Sequence, residues 1–208
     1  MKVTYSAKAN ITHRTQQLED GRSVEVISLT QAEHAQDAQL VLEWSFPILD
    51  IAGRWHPNCR FDRSIKADWS YGEKSMSAVS APVISFFNEE GQNRGTFALS
   101  ETLKEVRMSL GVHEEDGTMN CMVVVSLGAL DSDCYELSLL CDDRNVRYEQ
   151  AIREVGLWWE KDCGLHPASV PESARKPMYS FWYSYHQEFT EEDVEAECRR
   201  AAELGFRT

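Results

Sequence analysis

No run of about 18 apolar residues occurs anywhere in the sequence, so no helix of this chain is expected to cross a bilayer. Met1 to Tyr5 has neither a basic start nor the run of about 7–15 apolar residues that a secretory leader needs, and the expected location is cytoplasmic. Positive charge is scarce: 21 Lys and Arg stand against 34 Asp and Glu, a formal net charge of −13. Such a balance repels nucleic-acid phosphates and anionic membrane surfaces, so neither is expected as a partner. Cys59, Cys121, Cys134, Cys141, Cys163 and Cys198 include no Cys-x-x-Cys pair, which removes the zinc and thioredoxin-like readings and leaves reduced thiols as the default. His56, His166 and His186 fall at irregular spacing, with no carboxylate–His motif at helical spacing, and form no metal set. No Gly-rich phosphate loop, Gly-x-Ser-x-Gly elbow or dinucleotide fingerprint is present, and no cofactor is expected.

What is there is mostly short alternating runs. The 208 residues, 42% hydrophobic, suffice for one sizeable core and part of a second domain. Arg22 to Leu29 alternates in period two behind a turn at Glu19-Asp20-Gly21. Gln39 to Phe46 alternates again, with Leu40, Leu42, Trp44 and Phe46 on one face, and Pro47 ends it. Val79 to Phe87, Gly95 to Leu99, Leu103 to Val112, Met119 to Leu127 and Tyr135 to Cys141 continue the series. Turns at Asn88-Glu89-Glu90-Gly91 and Glu114-Glu115-Asp116-Gly117 separate them. Short strands at this spacing predict a β-sandwich.

Three stretches break the pattern. Ile51 to Ser80 holds Trp55, His56, Asp62, Asp68, Trp69 and Tyr71 with little periodicity. Its aromatic content argues against disorder, and long irregular connections often carry binding residues. Asp142 to Asp162 changes to helical spacing, with Asp142 or Asp143 as the expected cap. Gly164 to Ala174 is Pro-rich and aperiodic, and reads as a linker.

The final stretch is the most distinctive. Residues 177–184, Pro-Met-Tyr-Ser-Phe-Trp-Tyr-Ser, are rich in aromatics and read as a strand. Thr190 with Asp193 three residues on is a capping signal, Val194, Cys198, Ala201, Ala202 and Leu204 lie at helical spacing, and Gly205 is the expected stop. Strand then helix opens a parallel α/β unit, and one such unit cannot bury its strand on both faces. The expectation is therefore the front part of a larger enzyme.

Pro177 to Gln187, followed by an acidic helix ending Ala201-Ala202-Glu203-Leu204-Gly205, resembles the start of the catalytic barrel in family 36 glycoside hydrolases, the α-galactosidases and raffinose-synthase-like proteins. Trp182-Tyr183 matches the Trp-Tyr pair of that family's first barrel strand; the Asp-Asp-Gly-Trp-like motif of its second strand has no counterpart here. Gly53-Arg54-Trp55-His56-Pro57, Ala81-Pro82-Val83 and Asn93 to Ser100 look like the family's amino-terminal sandwich. The resemblance implies a mainly β chain: a supersandwich-like domain over 1–143, a helix and linker over 144–176, and over 177–208 the first strand–helix unit of a truncated (β/α)8 barrel.

It also implies a function. The chain would be the amino-terminal, non-catalytic part of an enzyme that hydrolyses terminal α-galactosides with retention, without cofactor. Retention needs two carboxyls about 5–5.5 Å apart, which the family carries on later barrel strands. No carboxylate here matches those motifs, so no catalytic residue is assigned and the chain alone is expected to be inactive. The expected partner is an α-galactoside oligosaccharide, with homo-oligomer formation as a further expectation. Trp182 is the first substrate-binding candidate, through stacking of its ring on galactose, against a role as a barrel-wall aromatic. Trp55 is the second, against packing within the sandwich. Asp68 and Trp69 are the third, against an ordinary loop carboxylate. The rival readings are a carbohydrate-binding sandwich that stands alone, a sandwich that mediates oligomer contacts, and galactosyl transfer of raffinose-synthase type.

Overall fold

The period-two runs all fold as strands, and four further strands join them. The computed structural model describes residues 1–77 and 79–206. Ala78, inside the expected irregular segment, and Arg207 and Thr208, at the end of the expected barrel unit, lie outside the described residues. The strands are β1 (Lys2–Tyr5), β2 (Asn10–Gln17), β3 (Ser23–Thr30), β4 (Gln39–Pro47), β5 (Gly53–Trp55), β6 (Glu73–Ser75), β7 (Val83–Phe87), β8 (Asn93–Leu99), β9 (Glu105–His113), β10 (Thr118–Ser126) and β11 (Tyr135–Asp142). Alternation announced seven of them; β1, β5 and β6 are only three or four residues long, too short to show a period, and the eight-residue β2 is exposed throughout and shows none.

Two antiparallel sheets result, with orders β1-β4-β10-β9-β6 and β2-β3-β11-β8-β7-β5. Their facing sides meet in one core. Leu40, Leu42, Val106, Met108, Met119 and Val123 come from the first sheet, and Ile27, Leu29, Ile84, Phe86, Leu137 and Leu139 from the second. Alternate residues of the same strands point outward, as a pleat requires. The mainly β sandwich expected from the alternation is therefore present.

The second sheet is also covered on its outer side. Helix α1 (Tyr148–Lys161) lays Val155 and Trp158 on Val24, Val26, Val83, Ala98 and Leu140. The Trp159 indole N–H donates to the Leu99 carbonyl at 2.8 Å. The chain divides into compact units Met1–Leu165 and His166–Thr208, so α1 belongs with the sandwich. The expected cap is corrected: the helix starts behind Arg147, and Asp142 ends β11. Asp142 is instead drawn into a buried pair, accepting from the Arg144 guanidinium at 2.9 and 2.6 Å. Its neighbour Asn93 is fully buried and satisfied: Nδ2 donates to the Asp142 and Arg144 carbonyls, and Oδ1 accepts from Gly95 N and Thr96 Oγ1.

In the second unit the expected strand over 177–184 is not formed. That segment is irregular up to Phe181 and then makes one helical turn, α2 (Trp182–Tyr185). A strand needs a neighbour to take up its N–H and C=O groups, and among the described residues of this unit no strand lies beside it. The backbone turns to local bonds instead, Tyr185 N and His186 N donating to Phe181 O and Trp182 O. The helix beyond matches its signals. α3 (Glu191–Glu203) begins in a capping box between Thr190 and Asp193, and Gly205 at φ +90° closes it. Gly205 N and Phe206 N donate to Ala202 O and Ala201 O, the Schellman pattern. No helix among the described residues is long and apolar enough to cross a membrane.

Candidate functional site

The segment between β5 and β6 carries most of the candidate chemistry, and its backbone is held at both ends. Arg54 on β5 turns inward, is buried, and donates to the Glu73 carboxylate on β6 at 2.7 Å and to the Ser64 carbonyl at 3.1 Å. β5 and β6 belong to different sheets, so this pair ties the two together at one edge. His56 Nε2 lies 3.3 Å from the same Glu73 oxygen. Burial pushes the His56 pKa below its ordinary 6.5, against the opposing pull of Glu73. Cys59 Sγ accepts from the Arg63 guanidinium. The Gly53-Arg54-Trp55-His56-Pro57 motif thus closes the sandwich edge.

Residues 66–68 then run as a strap beside β9. Val112 N donates to Lys66 O at 2.8 Å, and Asp68 N donates to Val112 O at 2.9 Å. The approach is close because Gly111 has no side chain: a Cβ there would lie 2.4 Å from the Ala67 carbonyl oxygen. The strap carries the Asp68 side chain onto the outer face of the first sheet. There Asp68 Oδ2 contacts His113 Nδ1 at 2.7 Å and accepts from Asn120 Nδ2 at 3.0 Å. The hydrogen bond from His113, then that from Asn120, holds the Asp68 carboxyl below its ordinary 3.8. The same contact raises the His113 pKa above 6.5. Asp68 and Asn120 line a shallow depression of about 400 Å³ with Glu43, Trp44, Ser45 and Ser109.

Beside it the aromatic side chains are free. Trp69 is 83% exposed and Tyr71 90% exposed, with the Arg107 guanidinium 6.0 Å from the Tyr71 ring centre. Rings this exposed leave their faces available to a ligand. A fixed carboxylate next to an exposed indole face can hold a hydroxylated ring: the carboxylate accepts from hydroxyls, and the indole covers an apolar C–H face.

The four candidate residues are thus distributed unequally. Asp68 lines this depression, and Trp69, the next residue in the chain, is exposed. Trp55 is half-buried against the cluster beneath α1, facing away from the core side that Arg54 occupies, and its position is a packing one. Trp182 belongs to the other unit, 49% exposed, its ring edge-on to His186 at 6.1 Å. In that unit Tyr179 and Tyr185 donate to the two oxygens of Glu197 at 2.6 and 3.1 Å, which raises both phenol pKa values. His113 and Asn120 were not singled out in sequence. They lie 45 and 52 residues from Asp68, and the only local signal is that both fall on outward positions of their strands. Among the described residues no group of three or more His, Cys, Asp or Glu is placed to hold a metal ion. No protein-family model, curated protein or solved structure matches the chain.

Proposed function

We propose that the protein is the amino-terminal, non-catalytic part of a retaining α-galactosidase, and that its sandwich holds an α-galactoside through Asp68 and Trp69. The observation that carries the reading is the Asp68 carboxylate, fixed by His113 and Asn120, beside the free ring of Trp69. Its fixed geometry lowers the cost of ordering on binding. The Pro177–Gln187 stretch adds its likeness in sequence to the opening of the family's catalytic barrel.

Titration of the protein with raffinose and with methyl α-galactoside, followed by tryptophan fluorescence, tests the reading. Trp69→Ala abolishes the saturable change at this site, and Asp68→Asn weakens it about tenfold, the size of one charge-assisted hydrogen bond. No saturable change with either sugar overturns the binding role. Release of nitrophenol from p-nitrophenyl α-galactoside by this chain overturns its non-catalytic assignment.

A further inference from the structure

The facing side of the second sheet changes character toward one end. Along β3 the inward positions run Leu29, Ile27, Glu25 and Ser23, so the apolar series ends in a carboxylate and a hydroxyl. The antiparallel register sets Thr15 of β2 and Leu139 of β11 opposite Glu25, and Cys141 opposite Ser23. Across from this polar row stand Trp44 and Phe46 of β4, with Phe97 between them at centroid distances of 5.3 and 5.4 Å. The two walls do not close on each other. They leave a cavity of about 390 Å³, open to solvent past the exposed residues His13 and Asp143.

Glu25 is the telling residue. Its side chain is 17% exposed at a position where a sandwich places core. Thr15 Oγ1 donates to Glu25 Oε2 at 2.8 Å, and His13 Nε2 lies 2.6 Å from the same oxygen. Oε1 has no partner among the described residues. Glu25 lines the cavity, so a donor that enters there can reach this oxygen. Arg94, the cation at the rim, supplies none, because Asp50 takes its guanidinium at 2.6 and 2.8 Å.

We propose that this cavity is a second binding site, for a neutral pyranose ring, with Glu25 accepting from ring hydroxyls and Trp44 covering the opposite face. Cavities from about 300 Å³ upward hold small ligands, and one of this size takes one sugar ring. A hydroxylated ring supplies the donor that Oε1 lacks, and its C–H face meets the aromatic wall. Trp44 lines both this cavity and the Asp68 depression, so the two sites are told apart by Glu25, which lines only the cavity, and by Asp68, which lines only the depression.

The test is a titration of 15N-labelled protein with methyl α-galactoside, methyl α-glucoside and choline chloride, reading the indole N–H resonance of Trp44. At least one pyranoside shifts that resonance saturably and gives contacts between its ring protons and the Trp44 ring in nuclear Overhauser spectra. Glu25→Gln weakens the shift about tenfold or more, while Trp69→Ala leaves it intact. The Overhauser contacts are read on the wild-type chain, so the outcome does not depend on how a variant folds. No shift with either pyranoside, or loss of the shift in Trp69→Ala, overturns the proposal. A shift with choline alone also overturns it, by assigning the aromatic wall to a cation.

Discussion

His113 on β9 and Asp68 on the strap beside it meet at 2.7 Å across 45 residues of sequence, and each alters the protonation of the other. His113 is held above its ordinary 6.5, chiefly by that contact. Its stabilising contribution is therefore complete below 6.5 and is lost as pH rises through the raised value. Asp68 is held below 3.8, so its contribution is complete above 3.8 and is lost as pH falls through the lowered value. The pair is fully formed between the two. Asp68→Asn brings the His113 pKa down toward 6.5 in an NMR titration of its ring protons. The gap in denaturation midpoint between variant and wild type is widest inside that window. An unmoved His113 titration contradicts the pairing.

Gly111→Ala tests the strap without touching either partner. The added methyl would meet the Ala67 carbonyl at 2.4 Å, backbone that cannot swing away like a side-chain tip. We expect a loss of about 1–3 kcal/mol in urea unfolding, the usual cost of overpacking. The His113 pKa falls at the same time, because residues 66–68 are pushed off β9. A stable variant with an unchanged His113 titration would show that the strap is not held by this close approach.

Glu73→Ala removes the carboxylate that Arg54 holds at 2.7 Å between the two sheets. Arg54 is then left buried with its charge uncompensated. Breaking such a pair from one side costs about 3 kcal/mol. Glu73→Gln keeps an acceptor in place and costs less. Equal midpoints for the two variants in guanidinium unfolding would rule out the ion pair as the link.

Trp158→Ala opens the layer between α1 and the second sheet, where Trp158 is 4% exposed. The expected loss is about 3–5 kcal/mol. Trp69→Ala, at an 83% exposed position, leaves unfolding within about 0.5 kcal/mol of wild type. The contrast between these two tryptophans separates packing from contact surface, and a large loss at Trp69 would move it into the first class.

How much of this was legible beforehand follows from which groups act locally. Period-two alternation marked β3, β4, β9 and β10, because a strand between core and solvent repeats its environment every second residue. The Thr190–Asp193 box and the Gly205 stop were equally readable, since a cap is satisfied within a few residues. The start of α1 was misread because Asp142 has the chemistry of a cap but is taken by Arg144 at the end of β11.

The sequence by itself determined the longer alternating strands, both ends of α3 and the stretch where the aromatic residues concentrate, since propensity, alternation and capping are properties of neighbours in the chain. Only the tertiary structure decided which of those aromatics serve packing and which stay free. Trp55 and Trp69 look alike in sequence, yet one lies in the cluster under α1 and the other stands in solvent. The same holds for Asp68 and Glu25. Their partners come from other strands, brought beside them by sheet register, and a register is set by core contacts that no local window contains. The 177–184 stretch is the converse case: its residues favour a strand, but a strand exists only beside another, and within its own unit the chain coils into a helical turn.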